Sequence, residues 1–388
     1  MSRSAKIGIS GWGSVSALGI RPAEIWRAYR EPGHRMHALG EGPLVSSLPP
    51  AVESKIHALR HSDKRYGSLD RSVHLAMMAA ESAVNMANWT GMENFGINIG
   101  SSRGATQIWE DYHATYLGTK GRVSPLTSPT TTLGNIASWV GYHVGGSGPA
   151  LSHSITCSTA LHALLNGISW LEAGRSDRFL VGGSEAPLTD FTISQMKALR
   201  IYARDEAVRE DYPCRAGDPG KRENSMVLGE GASCFCLERG PRRPLAIIEG
   251  MGYGTERIST ATGLSREGHC LQRAMRMALE EAGHPAIDVI VTHTPGTILG
   301  DRVEAYAIEA VFQGKIPFLT NNKWKIGHTL GASGGLSLEM ALLMLQHDQL
   351  VEVPYLSGDP ANRPRRIMVN ALGFGGNAVS VVLGRATD

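Results

Sequence analysis

The chain has 388 residues, with 38 Lys and Arg against 36 Asp and Glu, and a formal net charge of +2. That balance lacks the basic excess a phosphate backbone requires, so nucleic acid is not an expected partner. No apolar run approaches the roughly 20 residues that span a bilayer, and Met-Ser-Arg-Ser-Ala-Lys leads toward a strand rather than a signal-type segment, so the expectation is a cytoplasmic protein without membrane contact. The five cysteines, Cys157, Cys214, Cys234, Cys236 and Cys270, show neither Cys-x-x-Cys nor zinc spacing, so no disulfide framework and no metal site are expected. Glycine is the outlier, at 46 residues, and implies tight turns and close backbone approach.

Short apolar runs ending in glycine alternate with longer stretches of helical period, the pattern of an α/β protein. Lys6–Ser10 reads as the first strand, and Arg21-Pro22 opens a helix carrying Ile25, Trp26 and Tyr29. A stripe of Val73, Met77, Ala80, Val84 and Ala87 predicts a helix over Leu69–Trp89. Strands are then expected at Phe95–Ile99, Phe179–Val181, Cys234–Leu237, Leu245–Ile248, Val289–Thr292, Ile316–Leu319, Ile367–Val369 and Val379–Leu383. Helices are expected at Ser158–Ala173, Glu267–Glu281, Asp301–Phe312 and Ala332–Gln346. The polar stretch between Tyr202 and Ser225 has no period and reads as a long surface excursion, a candidate cover for a site.

The order suggests a duplication. Lys6-Ile-Gly-Ile-Ser-Gly-Trp-Gly13 is faintly like Leu245-Ala-Ile-Ile-Glu-Gly-Met-Gly252, and Gly240-Pro-Arg-Arg-Pro244 makes a seam between halves 1–243 and 244–388.

Several motifs have structural explanations. Gly331-Ala-Ser333-Gly-Gly335 matches a hydrolase elbow formally, but no acid and histidine follow in the required order, so small residues for close packing are the better reading. Gly11-x-Gly13 lacks the third glycine of a dinucleotide fingerprint. Asp301-x-x-Glu304 fits an acidic cap with a capping box. Cys157 differs, because it precedes an apolar-striped segment and so stands at a helix N-terminus, where dipole and free N–H groups favour thiolate. His293 and His328 each follow an extended run among glycines, as does Leu372-Gly-Phe-Gly-Gly376. Strand ends are where α/β proteins build ligand sites, and the four loops make a coherent set.

On these residues the chain resembles the β-ketoacyl-acyl-carrier-protein synthases, the elongating Cys-His-His condensing enzymes of the thiolase superfamily. The match runs in order through Gly11–Gly19, Thr156-Cys-Ser-Thr-Ala160, Leu180-Val-Gly-Gly-Ser-Glu-Ala186, Leu228-Gly-Glu-Gly-Ala232, His293 to Gly300-Asp301-x-x-Glu304, Lys323 to His328, and Gly373-Phe-Gly-Gly376. The resemblance implies a thiolase-like five-layered αβαβα fold built from two similar βαβαβαββ halves. It implies that Cys157 accepts an acyl group, and that His293 and His328 serve malonyl decarboxylation with Lys323 beside them. It further implies that the N–H groups of Cys157 and Phe374 form the oxyanion hole, that Phe374 gates the acyl pocket and that Thr297 holds the pantetheine arm. Asp301, Glu304, Gly373 and Gly375 support the site.

The implied reaction is a decarboxylative Claisen condensation with malonyl carrier protein, without metal or organic cofactor, in fatty-acid or polyketide/polyene biosynthesis. The implied partners are an acyl carrier protein and a second subunit in a homodimer or a heterodimer with a homologous ketosynthase-like chain; if the carrier is acidic, scattered cations such as Lys64, Arg65 and Arg71 are the expected docking residues. A noncatalytic chain-length partner is the alternative. Pro295, Leu372 and Asn377 depart from the family pattern, which usually has Thr, Phe and Thr there, and they point to a specialised synthase.

Overall fold

The computed structural model describes residues 6–89, 94–133, 135–257, 263–356, 358 and 363–386; the lead-in at 1–5 lies outside them. In chain order the strands of the main sheet are β1 (Ile7–Val15), β2 (Gly96–Gly100), β3 (Ala150–Leu151), β4 (Arg178–Glu185) and β5 (Gly231–Arg239). The second five are β6 (Ala246–Thr255), β7 (Val289–Val291), β8 (Phe318–Thr320), β9 (Arg366–Gly373) and β10 (Asn377–Arg385). The longer helices packed on the sheet include α1 (Arg71–Met86), α2 (Asn135–Val144), α3 (Thr159–Glu172), α4 (His269–Glu281), α5 (Ile298–Phe312) and α6 (Ser333–His347).

The strands pair in the order β8-β7-β9-β10-β6-β1-β5-β4-β2-β3. Read outward from the centre, one half runs β1, β5, β4, β2, β3 and the other β6, β10, β9, β7, β8, which is the same order displaced by one repeat. The halves meet where Gly8 pairs with Ile247 and Ile9 with Ala246.

Side chains alternate along each strand between two cores, as a strand's period of two requires. In the first half Leu180, Cys234 and Cys236 face α1 and α2, while Phe179, Val181, Phe235 and Leu237 face inward. In the second, Ile290, Met368 and Val382 face α4 and α5, while Val289, Ile367 and Val381 face inward. The shared inner core holds α3 and α6, giving helix, sheet, helix, sheet, helix. Helix α6 is apolar around most of its circumference and buried from Ser333 to Leu345, as a central-layer helix must be.

Glycines set the spacing of the outer layers. A Cβ at Gly11 would lie 2.5 Å from the Ala83 carbonyl oxygen, and one at Gly13 2.3 Å from that of Ala79, so α1 rests directly on β1. Gly250 and Gly252 repeat the device under Ala278 and Ala274 of α4, at 2.2 and 2.1 Å. The likeness between the two glycine-rich openings is therefore a shared packing requirement. Gly331 and Gly335 serve close packing too: added Cβ atoms would sit 2.5 Å from the Ser102 amide nitrogen and 2.0 Å from Ser233 Oγ.

Some expectations change. Helices Pro50–Ser62, Thr106–Gly118, Asn135–Val144 and Asp190–Ala198 were not foreseen, nor was a small sheet of His37–Ala38, Leu44–Ser46 and Leu228–Gly229. The stretch 202–225 is not a surface excursion throughout. Tyr202, Cys214, Ala216 and Lys221 are buried, and the Tyr202 hydroxyl donates to the Leu44 carbonyl at 2.6 Å, so its polar groups find partners inside. Among the described residues no helix is long and apolar enough to cross a membrane.

Candidate active site

Cys157 sits in the turn between β3 and α3. Thr156 before it adopts a left-handed φ of +47°, costly for a β-branched residue and held by its neighbours. Thr159 Oγ1 accepts from the Ile155 amide at 2.9 Å and donates to the Thr156 carbonyl at 2.7 Å, while Ser158 Oγ donates to the Ile155 carbonyl at 2.9 Å. The thiol is buried, and burial first, then Glu185, pushes it up to about 12, with Lys323 opposing. A rise of that size is worth about 4 kcal/mol, more than the roughly 1 kcal/mol typical of a helix dipole. The expected thiolate-favouring terminus is thus overruled at rest: desolvation wins, and Cys157 is a thiol.

The loop after β7 carries His293 and is held from behind by α5. Glu304 accepts from the His293 amide at 2.9 Å, the Thr294 amide at 2.7 Å and Asn370 Nδ2 at 3.1 Å. Asp301 accepts from the Gly296 amide at 3.1 Å and the Gly217 amide at 2.7 Å, and pairs with Lys221. The capping-box reading is corrected here. Thr297 is the N-cap, its Oγ1 accepting from the Gly300 amide at 3.1 Å, so the helix starts at Ile298 and both acids lie beyond its first three residues, free to reach back to the loop.

His328 follows Gly327, whose φ is +69°, and its own backbone is tied to the 227–229 segment: its amide donates to Val227 at 2.7 Å and its carbonyl accepts from Gly229 at 3.1 Å. The two imidazoles meet edge to face, ring centres 5.3 Å apart. Burial holds His293 well below the usual histidine range, with His328 and Lys323 adding to the effect; burial and then Lys323 bring His328 down to about 3. Both rings are therefore neutral at physiological pH. Lys323, itself buried, donates to the Thr292 carbonyl at 3.2 Å and Ser337 Oγ at 2.9 Å, and burial draws it down to about 8 against the opposing field of Glu304.

The β9–β10 hairpin brings the fourth loop. Gly375 and Gly376 have φ of +83° and +70°, the Gly376 amide closes on the Gly373 carbonyl at 3.1 Å, and Phe374 stands half-exposed at the tip. A Cβ at Gly373 would lie 2.1 Å from Thr156 Oγ1, and that hydroxyl donates to the Phe374 carbonyl at 3.4 Å. The Cys157 turn and the Phe374 turn are thus in contact.

Cys157, His293, His328, Thr297, Gly373 and Phe374 line one cavity of about 380 Å³, whose walls include Met196, Ile201, Met226 and Leu330. Lys323, Asp301 and Glu304 stand behind it rather than in it, and Gly375 shapes the turn without lining it. Three residues were given no role in the sequence: Glu185, which lies inside the matching segment Leu180–Ala186, Asn224 and Lys221. Glu185 accepts from Ser101 Oγ and from the amides of Ser102, Arg103 and Gly331 at 2.8–3.0 Å, and burial pushes it up to about 7. Its one signal was an acid ending an apolar strand. Asn224, in the cavity wall, and Lys221 had none, because 202–225 lacks period. Arg71, expected to be free for docking, is held by Glu53 and Glu230, and Arg65 by Asp63. Among the described residues no three His, Cys, Asp or Glu side chains gather as metal ligands do.

A ten-stranded duplicated sheet with a cysteine, two histidines and a lysine brought together at its strand ends defines a condensing enzyme of the thiolase-like kind. Residues 5–242 match the beta-ketoacyl synthase N-terminal domain and residues 245–356 its C-terminal domain, and the chain belongs to that family of acyltransferases. It is 29% identical over 364 residues to nodulation protein E of Rhizobium sp. (strain N33), covering 88% of this chain and 86% of that protein. It is 27% identical over 416 residues to 3-oxoacyl-[acyl-carrier-protein] synthase 2 of Staphylococcus aureus (strain COL), covering 98% and 99%. Its fold is that of the ishigamide ketosynthase/chain length factor, with a TM-score of 0.85 at 21% identity over 99% of this chain and 100% of that one.

Proposed function

We propose that the protein joins an acyl group held on Cys157 to a malonyl group on an acyl carrier protein, with loss of CO2. The observation that carries this reading is the convergence of one thiol and two neutral imidazoles on a single apolar cavity. In the first step Cys157 Sγ attacks the carbonyl of an acyl thioester; a carbon–sulfur bond forms to Cys157, the one to the carrier breaks, and the Cys157 proton ends on the departing thiol, relayed by an imidazole. In the second, malonyl thioester loses CO2, and its electron pair becomes an enolate whose oxygen accepts N–H from His293 and His328. The enolate carbon then bonds to the acyl carbon and Cys157 leaves as thiolate, while the Cys157 and Phe374 amides serve the oxyanion. Neutral imidazoles suit this work, since they donate without a charge to desolvate. The residues do this without a metal or organic cofactor.

Lys323 holds the field around both histidines, and Thr297 can still donate its hydroxyl proton to a pantetheine arm. Pro295 lacks that capacity, which supports a specialised polyketide or polyene route over general fatty-acid elongation. Trp109, Tyr116, Leu117, Val123 and Leu126 stand exposed on and after helix Thr106–Gly118, an apolar patch suited to a second subunit, either another copy or a homologous chain. The second reading, a noncatalytic chain-length partner, draws on likeness to a ketosynthase/chain length factor; retention of Cys157 weighs against it.

Intact mass after mixing with acyl carrier protein and then malonyl carrier protein tests the assignment. Cys157→Ala takes no acyl group, and His328→Ala takes it but fails to condense. Unchanged condensation in either variant removes the role given to that residue.

A further inference from the structure

Two acids of α5 hold the loop that carries His293, and each has a buried cation of its own. Glu304, which receives the His293 and Thr294 amides, lies in the field of Lys323. Asp301 receives the Gly296 amide on one oxygen and the Gly217 amide on the other, and that second oxygen also takes the Lys221 ammonium. The Lys221 and Asp301 side chains are only 5% and 6% exposed, and Lys221 donates as well to the Arg215 carbonyl at 3.2 Å.

An ion pair this buried adds little net stability, because desolvation offsets the attraction, but losing one member leaves a charge uncompensated. Its contribution is therefore to geometry. Gly296, whose φ is +90°, is the loop's turning point between His293 and Thr297; its amide donates to Asp301, whose carboxylate Lys221 balances, and its carbonyl accepts from the Ser225 amide at 2.9 Å and Ser225 Oγ at 3.0 Å. We infer that Lys221 is a positioning residue: through Asp301 and Gly296 it sets the aim of the His293 ring at the decarboxylating malonyl group, an inference that rests on the synthase reading. The hydrogen bonds that build the Cys157 turn come from Ile155, Ser158 and Thr159 and do not involve this pair. The two half-reactions should accordingly separate.

In Lys221→Met, malonyl decarboxylation and condensation fall about 10- to 100-fold, the scale of a misaimed catalytic group, while acyl transfer to Cys157 keeps its rate. Lys221→Met with Asp301→Asn recovers part of the loss, because the unbalanced charge is gone and the amide oxygen still accepts from Gly296, although its NH2 group no longer accepts from Gly217. A readout independent of turnover uses protein labelled with ¹⁵N in its histidines. The His293 ring signals move in Lys221→Met and return part of the way in the double variant, and those of His328 stay. Unmoved His293 signals, or equal loss of both half-reactions in folded protein, overturn the inference. Wild-type protein that never accepts an acyl group instead sinks the synthase reading, and the histidine spectra still decide the role of Lys221.

Discussion

The two halves of the sheet share a strand order and differ in how they use their connections. After β7 the chain turns through His293–Thr297 straight into α5; after β2, the equivalent strand, it inserts residues 101–134, with the helix Thr106–Gly118, before α2 begins. After β9 it closes a hairpin through Phe374–Gly376; after β4 it inserts helix Asp190–Ala198 and the 202–225 segment before reaching β5. The second half thus contributes short, glycine-bent turns that hold imidazoles and amides at fixed positions. The first supplies the Cys157 turn and long insertions that complete the wall, with Met196, Ile201, Asn224 and Met226 facing Leu264, Ile298, Leu299 and Leu330 of the second half across the cavity. Groups that must be aimed ride on turns with little freedom, and the first half's insertions serve to enclose.

That division can be broken most severely at Gly373. Gly373→Val puts atoms where Thr156 Oγ1 and the Ile155 carbonyl already sit, so condensation should fall at least about 100-fold, and acylation with it, while Leu199→Ala at the wall changes acyl preference more than rate. Equal, mild losses in both would erase the distinction between turns and walls.

A second prediction concerns pH. His328, about 3 in the folded protein, and His293, also depressed, are near 6.5 once unfolded. Below pH 6.5 the unfolded chain binds more protons, so stability is full above that value and lost as pH falls, by up to about 1.4 kcal/mol per pH unit for each histidine. Denaturant unfolding at pH 7 and pH 5 measures this slope, and His328→Asn should remove one histidine's share. The same slope in wild type and variant would mean that His328 is not held neutral.

The smallest effect belongs to the insertion. Leu117→Glu, on the exposed apolar face, should weaken self-association about tenfold in sedimentation while leaving the melting temperature of the subunit in place. A wild-type chain that is monomeric alone, and equal to the variant, would point to a homologous partner instead.

How much of this was legible follows the same line. His293, His328 and Phe374 could be found because each lies among glycines just past an extended run, and Cys157 because it precedes an apolar-striped helix; both signals are local. The ten-strand duplication showed only in its glycine-rich openings, where α1 and α4 impose the same demand on β1 and β6. What stayed hidden depends on partners far along the chain. Lys221 is defined by Asp301, Glu185 by Gly331, and neither relation leaves a period or a spacing. Helix Thr106–Gly118 buries only Thr106 and so has no inward apolar stripe to detect.

The place of β1 at the centre of the sheet also has a consequence for synthesis. Its neighbours are β5, where Ile7 pairs with Arg239, and β6, where Ile9 pairs with Ala246. At ~5–20 residues per second a ribosome takes roughly 10 to 50 seconds to deliver those partners. During that interval a strand with Ile7, Ile9, Trp12 and Val15 has neither edge paired, and α1 has only part of its seat. The nascent chain must wait with the middle of its future core open until residues 231–247 have been made.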